Sequence, residues 1–189
     1  MAKTDHLPPK LEAVLIRLGK AAPLNVTQAV KLPYLVDVVA MHVLGRRITE
    51  GTHQAWDYGV VTKEVWHYLD KCEGSSMFHL EAVPWSEEKR LVVDAEEPAF
   101  ELTREEQRVV DFVVAEFAAR RAADLGRMTK LMNPEISSWG SNKSASLGSD
   151  TFDRMSEDYL RMADLAASVT LDQLRRTSTR VDDIEDAVA

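Results

Sequence analysis

Two glutamate and histidine pairs are the residues in this chain whose spacing is best suited to chemistry. Glu50 and His53 lie in E-G-T-H, and Glu64 and His67 lie in E-V-W-H. Such Glu-x-x-His sequences on facing helices bind two metal ions in four-helix proteins, where the other two helices each add an inward glutamate. Here Gly51 places the first pair in a turn, and no apolar stripe offers an inward glutamate. We therefore interpret both histidines as surface or half-buried residues and expect no metal site.

Other reactive arrangements are also missing from the sequence. The single cysteine, Cys72, follows Lys71, whose charge favours a thiolate, but no glycine-framed turn of the kind that presents a nucleophile surrounds it. One cysteine forms neither an intramolecular disulfide nor a multi-cysteine metal site. The phosphate-binding patterns G-x-x-x-x-G-K-[ST] and G-x-G-x-x-G do not occur. We expect no catalytic residues and no cofactor.

Length and charge narrow the class of partner. The 189 residues are enough for one domain with a buried core and an appendage. A formal net charge of -8 argues against nucleic acid as the partner, because such affinity comes largely from clustered Lys and Arg. No apolar run has the length of a membrane span, and the first residues lack a signal core. We expect a cytoplasmic protein without a membrane partner.

One segment keeps a DNA-binding interpretation open. Residues 24–40 can be read as the second half of a helix-turn-helix, with Gln28 and Lys31 facing a groove. Pro33 would break the reading helix, and the following turns are apolar. A DNA-binding transcriptional regulator that represses its own operon is therefore the alternative function.

Apolar spacing predicts a mainly α protein. A first helix covers residues 11–18, and a second begins close to Leu32, after Thr27 as a cap, and ends at Gly45. A third helix covers residues 62–68, and a hairpin covers residues 78–93, with Pro84 restricting one strand to an edge. Capping box T-R-E-E at 103–106 opens a long helix that ends near Gly126. Its predicted buried stripe is Val109, Val110, Phe112, Val113, Phe117 and Ala118.

The last fifty residues differ in composition. Residues 137–149 are rich in Ser and Gly and predict a flexible connector. Beyond it, Phe152, Met155, Tyr159, Met162, Ala166 and Val169 recur at steps of three and four, which predicts an amphipathic helical seam. The expected fold is thus a compact helical domain with a small β-hairpin and a C-terminal helical extension.

Four stretches together resemble the Panacea domain, also called the SocA-like antitoxin domain. They are K-L-P-Y-L-V-D-V-V-A-M-H-V-L-G-R-R-I-T from Lys31, A-W-D-Y-G-V-V-T-K-E-V-W from Ala55, L-T-R-E-E-Q-R-V-V-D-F-V-V from Leu102 and M-T-K-L-M-N-P-E-I-S-S-W ending at Trp139. Family members typically carry K-L-x-Y-L, a basic residue before I-T, and Y-G-P-V. Val60 stands where the family usually has proline, and Pro33 where it usually has an aliphatic residue.

The resemblance implies an α-helical cytoplasmic protein of a bacterium or phage that neutralises a cognate toxin by direct binding and has no catalytic residues. Together with the composition of the last fifty residues, it predicts an antitoxin domain over residues 1–136, the connector 137–149 and the helical extension 150–189. We expect Gly59 to permit a turn on whose opposite sides Tyr58 and Trp66 pack. Whether the extension contacts the toxin or docks on its own domain stays open, as does assembly as a homo-oligomer or a toxin-antitoxin hetero-oligomer.

Large side chains around the signature turn and on the extension are the expected partner-binding residues, since Trp and Tyr are the usual anchors of protein interfaces. For Trp56 and Trp66 burial in the core is the favoured interpretation, because large aromatic side chains bury well. The expected set is Trp56, Tyr58, Val60, Trp66, Met132, Trp139, Phe152, Met155, Tyr159 and Met162.

Overall fold

Five helices and two small antiparallel sheets make up the part of the chain that the computed structural model describes, residues 6–70, 77–96, 98–131 and 145–146. The helices are α1 (Pro9–Ala21), α2 (Val26–Leu44), α3 (Lys63–Leu69), α4 (Arg104–Val113) and α5 (Ala122–Leu131). The strands are β1 (Leu24–Asn25), β2 (His53–Trp56), β3 (Gly59–Thr62), β4 (Phe78–Ala82), β5 (Lys89–Val93) and β6 (Ala145–Ser146). None of the described helices is long and apolar enough to cross a membrane. The mainly α expectation is confirmed.

Helix α2 is the centre of the core, because every residue from Gln28 to Ala40 is buried. It contacts all four other helices and strands β1, β3 and β5. Its first turn is closed by a reciprocal cap in which the Asn25 side chain accepts from the Gln28 N–H and the Gln28 side chain accepts from the Asn25 N–H. The C-terminal cap predicted at Gly45 is confirmed, with a left-handed φ of 67°.

The predicted start of this helix near Leu32 is wrong, because the helix begins at Val26 and contains Pro33. Proline lacks the N–H that would bond the carbonyl four residues earlier and normally ends or kinks a helix. Here the cap at Asn25 and burial on all sides stabilise the turns before the proline. Tertiary packing outweighs the local penalty.

The capping box at the start of α4 is confirmed, and so is the whole buried stripe predicted for this helix. A π-helical segment, Val114–Ala118, follows α4 directly, with Ala119 as its C-terminal cap. The prediction of one helix ending near Gly126 is wrong, since Gly126 lies in the middle of α5. A glycine near the end of an apolar pattern usually marks a helix end. Gly126 instead lies inside a helix, because close packing there leaves no room for a side chain.

The two sheets have the strand orders β1-β5-β4 and β3-β2-β6. The predicted hairpin is confirmed as β4 and β5, with β4 at the edge and Pro84 in the connection. The hairpin of β2 and β3 was not predicted. The predicted fold, with one small hairpin, therefore contained less β structure than the described chain has. Strand β6 falls within the predicted connector and pairs with β2, Ala145 opposite Ala55 and Ser146 opposite Gln54.

A buried carboxylate joins three helices at one end of the core. The Glu106 side chain is fully buried and accepts hydrogen bonds from Lys10 Nζ at 2.9 Å and Arg46 Nη1 at 2.8 Å, while Oε2 accepts from the Thr103 N–H at 3.0 Å. Burial alone would raise the pKa of Glu106, but the hydrogen bonds from Arg46 and Lys10 lower it below its ordinary value of 4.5. The same residue thus caps α4 and ties to it both α1 and the segment that directly follows α2.

We expect Glu106→Gln to lower the free energy of unfolding by about 1–3 kcal/mol at pH 7, because two cations lose their charged acceptor. A depressed carboxyl pKa stabilises the fold above the unfolded pKa, and this stability is lost as the pH falls through the folded pKa. The difference between wild type and variant should therefore shrink below about pH 4.5. Urea unfolding at pH 7 and pH 3.5 measures it, with Glu105→Gln in the same turn as the control; a difference independent of pH would contradict the assignment.

Candidate protein-binding site

A buried lysine of α2 positions the turn between β2 and β3. Lys31 is only 2% exposed, and its Nζ donates to the Tyr58 carbonyl at 2.7 Å and to the Val60 carbonyl at 3.0 Å. Burial lowers the pKa of Lys31 from 10.5 to about 8. At neutral pH the amine is therefore still mostly an ammonium group, and both of these carbonyls have a charged donor.

Helix α5 packs against the same turn where Gly126 of the helix meets Gly59 of β3. Gly59 has a left-handed φ of 94°, and a Cβ there would collide with the Gly126 carbonyl. A Cβ at Gly126 would lie 2.8 Å from the Tyr58 carbonyl oxygen. Thr129 Oγ1 accepts from the Val60 N–H at 3.1 Å and donates to the Gly126 carbonyl at 3.2 Å. Backbone packs directly on backbone here, which only glycine permits.

Tyr58 extends from this fixed turn into solvent and is 86% exposed. The expectation that Tyr58 packs against the turn is therefore wrong, because Lys31 and Gly126 already occupy the inner side. Val60, predicted as a partner-binding residue, is fully buried beside the same lysine, so its side chain is closed to a partner in this structure. A valine at this position keeps the N–H that bonds Thr129, which a proline would lack.

Trp56 and Trp66 form one aromatic pair beside the turn. Their rings meet edge to face with centroids 5.3 Å apart, and the Trp56 Nε1–H donates to Gln54 Oε1 at 3.2 Å. Trp56 is half-buried against the core, whereas Trp66 is 39% exposed. We call Trp56, Tyr58 and Trp66 the aromatic surface.

A groove continues the aromatic surface past Trp66. It lies between α3 and the hairpin of β4 and β5 and has a volume of about 270 Å³. Trp66, Leu69 and Leu80 provide apolar lining, and Asp70 and Lys89 are charged lining residues. Ligand pockets for small molecules are usually larger than ~300 Å³, so this groove fits one large side chain of a protein better than a cofactor.

A second buried polar cluster lies behind β2, around Asp37 of α2. Asp37 Oδ1 accepts from the N–H groups of Ile48 and Thr49, both at 2.8 Å, and Oδ2 accepts from Arg47 Nε at 3.0 Å and His53 Nε2 at 2.8 Å. Burial alone would raise the pKa of Asp37, but His53 and Arg47 lower it below its ordinary value. One carboxylate thus anchors the segment that joins α2 to β2.

Asp37, His53 and Thr62 resemble a catalytic triad in their connections. His53 Nδ1 lies 3.1 Å from Thr62 Oγ1, and burial lowers the pKa of His53 although Asp37 opposes this effect. These contacts fit a neutral ring that donates from Nε2 to Asp37 and accepts at Nδ1 from Thr62. All three side chains are fully buried, so no substrate reaches the hydroxyl in this structure. The arrangement is a structural one.

The two Glu-x-x-His pairs are not brought together as ligands. The expectation that both histidines are surface or half-buried residues is wrong for His53, which is fully buried, whereas His67 is exposed. Both ring nitrogens of His53 bond protein groups, and Glu64 Oε2 accepts from the Thr52 N–H at 2.8 Å. Among the described residues, no group of three or more His, Cys, Asp or Glu is placed to hold a metal ion.

The side chains that the DNA-binding interpretation needed are also buried. Gln28 Nε2 donates to the carbonyls of Ala118 and Arg120, and Lys31 bonds the turn. Neither can reach a DNA groove, so the helix-turn-helix interpretation of this segment is wrong.

Six of the predicted partner-binding residues, and Cys72, lie outside the described residues, and their roles stay predictions. The six are Met132, Trp139, Phe152, Met155, Tyr159 and Met162.

Residues 30–134 match the family model for the antitoxin SocA-like, Panacea domain. The chain belongs to this family. No curated protein and no solved structure was found to match the chain. The matched range of the Panacea domain runs from α2 into the residues after α5, and it includes Lys31, Asp37, Gly59 and Gly126. The buried polar clusters around Lys31 and Asp37 and the aromatic surface therefore lie within the family domain.

Sequence reasoning missed the roles of Lys31 and Asp37, although a signal was present. They are the only Asp, Glu, Lys or Arg residues in α2, whose other residues are mostly apolar. A charge on the buried face of a helix must meet a partner, because an uncompensated buried charge is very costly. The sequence therefore indicated that Lys31 and Asp37 must have buried partners, but it did not indicate which residues these partners are.

We expect Lys31→Met to lower the free energy of unfolding by about 1–3 kcal/mol at pH 7, because the two turn carbonyls lose their donor. Between pH 8 and pH 10.5 the unfolded chain keeps a proton that the native lysine has released, so unfolding becomes less favourable as the pH rises. The advantage of wild type over Lys31→Met should therefore grow from pH 7 to pH 9.5.

Urea unfolding of both proteins at the two pH values measures this effect. Lys130→Met is the matched control, because Lys130 Nζ bonds the Asp57 carbonyl of the same turn at 3.3 Å from a half-buried position. An equal loss in both variants would contradict a special role for Lys31.

Proposed function

We propose that this protein is an antitoxin that neutralises a cognate toxin by direct contact through the aromatic surface. The observation that carries the proposal is the display of Tyr58, 86% exposed, on a turn fixed from inside by Lys31 and α5, within a domain of the antitoxin family. A tyrosine held on a rigid backbone loses little conformational entropy on binding.

The chemistry of the described residues supports binding rather than catalysis. The Asp37, His53 and Thr62 arrangement is closed to substrates, and Lys31 is used to hold backbone carbonyls. Exposed aromatic residues beside a groove for one side chain are instead typical of protein interfaces, where a few such anchors contribute most of the affinity.

Charge indicates the kind of partner. The chain carries a formal net charge of -8, which favours association with a basic protein and disfavours a nucleic acid. We place the encounter in the cytoplasm. The pair then forms a toxin-antitoxin hetero-oligomer.

The proposal is tested by expressing the reading frame adjacent to this gene, with and without the protein, and by copurifying the pair. Growth arrest that is relieved by coexpression, together with a stable complex, is the expected result. An adjacent product that is not toxic, or relief without a complex, would overturn direct neutralisation.

We expect Tyr58→Ala to weaken toxin binding by about 2 kcal/mol or more, as loss of a central aromatic anchor does, while the free energy of unfolding changes by less than about 0.5 kcal/mol. Isothermal calorimetry with the copurified toxin and urea unfolding measure the two quantities. Trp85→Ala is the control, because Trp85 is the most exposed aromatic residue described and lies on the other hairpin. Equal losses of affinity in both variants would contradict a specific aromatic surface.

The extension contributes a separate proposal. Truncation after Gly148 removes the seam that begins at Phe152 and leaves the family domain whole. We expect the shortened protein to stay folded and to neutralise less well, measured as growth in the coexpression assay. Full neutralisation would show that the seam is not the inhibitory element.

A further inference from the structure

The hairpin of β4 and β5 presents a tryptophan to solvent at its end. We call residues 83–88, V-P-W-S-E-E, the hairpin tip. Trp85 in this tip is fully exposed, and it is the most exposed large apolar side chain among the described residues. A tryptophan that meets a partner buries about 150–250 Å². In this structure Trp85 gains none of that burial.

The backbone of Trp85 is also in a conformation that disfavours a side chain. Its φ of 63° is the only positive φ of a non-glycine residue in the described part of the chain. The Ser86 N–H bonds the Val83 carbonyl at 3.2 Å, so Pro84 and Trp85 are the central residues of a β-turn. Positive φ at the second central position favours Gly or Asn. An exposed aromatic residue that costs backbone energy is typical of a binding role.

Hydrogen bonds hold the hairpin tip in one shape. The Val83 N–H bonds the Glu88 carbonyl at 3.2 Å, and the Glu88 N–H bonds Ser86 Oγ at 3.0 Å. Pro84 has a fixed φ before the tryptophan. The Trp85 ring is therefore presented on a preorganised turn, which reduces the entropy lost when it binds.

The groove between α3 and the same hairpin has the size and the chemistry to receive an indole ring. It has a volume of about 270 Å³. Trp66 and Leu80 offer apolar contacts, and the Asp70 carboxylate can accept the indole N–H. Trp85 does not occupy the groove of its own copy, since it is fully exposed. The chain thus carries both an aromatic anchor and a site that fits one.

Charge at the hairpin tip indicates which partner supplies the groove. Glu87 and Glu88 are followed directly by Lys89 and Arg90, and all four are exposed. In a two-fold dimer each surface meets the same surface of the other copy in inverted order. The two acids of one copy would then face the two bases of the other. This pattern suits a second copy of the chain better than a partner of uniform charge.

We propose that two copies of this chain form a two-fold dimer in which Trp85 of each copy inserts into the groove of the other. This inference goes beyond the proposed function and does not depend on it. The contact is confined to two hairpin tips and two grooves, so it belongs to the class of interfaces that bury less than about 1,200 Å². The dimer is therefore weak, and it forms between about 10 μM and 1 mM protein.

Sedimentation equilibrium of the full chain between about 10 μM and 1 mM tests the dimer. Wild type should pass from the mass of one copy towards the mass of two, and Trp85→Gly should keep the mass of one. Its urea midpoint at 10 μM should not fall, because glycine adopts the positive φ without strain, so unfolding does not explain the loss. A wild type that stays monomeric, or equal dimerisation of Trp85→Gly, would overturn the proposal.

Charge exchange tests the two-fold arrangement. Glu87→Lys/Glu88→Lys makes residues 87–90 uniformly basic, and Lys89→Glu/Arg90→Glu makes them uniformly acidic. Each variant alone should dimerise about tenfold more weakly than wild type, because like charges meet. An equimolar mixture should associate at least as tightly as wild type. A mixture that associates no better than its components would contradict the inverted pairing.

NMR spectra at low and high concentration test the groove. The Trp66 indole N–H and the Leu80 methyl groups should shift with concentration in wild type and should not shift in Trp85→Gly. Shifts confined to the hairpin tip would overturn insertion into the groove. A Trp85 signal that moves only when the copurified toxin is added would assign the hairpin tip to the toxin and would overturn the dimer.

Discussion

The ammonium group of Lys31, bonded to two carbonyls of the turn between β2 and β3, is the contact on which the arrangement of the candidate site depends. A charged group at the centre of a core is costly unless it is well paired. Here two short hydrogen bonds, at 2.7 and 3.0 Å, to carbonyls of the turn offset part of this cost, and burial still lowers the pKa of Lys31 to about 8. Because the lysine comes from the most buried of the described helices, it connects the turn to the centre of the core.

Apolar and polar contacts stabilise different parts of this protein. Apolar stripes pack the helices, as on α4, where the stripe from Val109 to Ala118 is buried. Irregular segments are held instead by buried side chains of α2: Lys31 bonds the turn, and Asp37 bonds the segment before β2. Loops rarely bury enough apolar surface to fix their own shape, and their backbone groups need partners wherever water is excluded.

This division explains why an exposed tyrosine can stand on a well-fixed turn at the surface of a small domain. Tyr58 is exposed because everything around it on the inner side is already satisfied by Lys31, Gly126 and Thr129. The same contacts close the outer edge of β3, whereas β2 pairs with β6 on its other side. Preorganisation of this kind reduces the entropy that a partner must overcome on binding.

Local chemistry in the sequence by itself determined the helix stripes, the capping box of Thr103 and Glu106, the cap at Gly45 and the hairpin of β4 and β5. These features depend on residues a few positions apart, so one sequence window contains both partners. The family membership also followed from ordered short motifs. Only the tertiary structure decided that Pro33 lies inside a helix and that Gly126 packs against the Tyr58 carbonyl instead of ending a helix. It also decided that Lys31 bonds a turn 27 residues away. The physical reason is that a buried charge or a missing Cβ has meaning only through its partner, and that partner comes from a distant part of the chain.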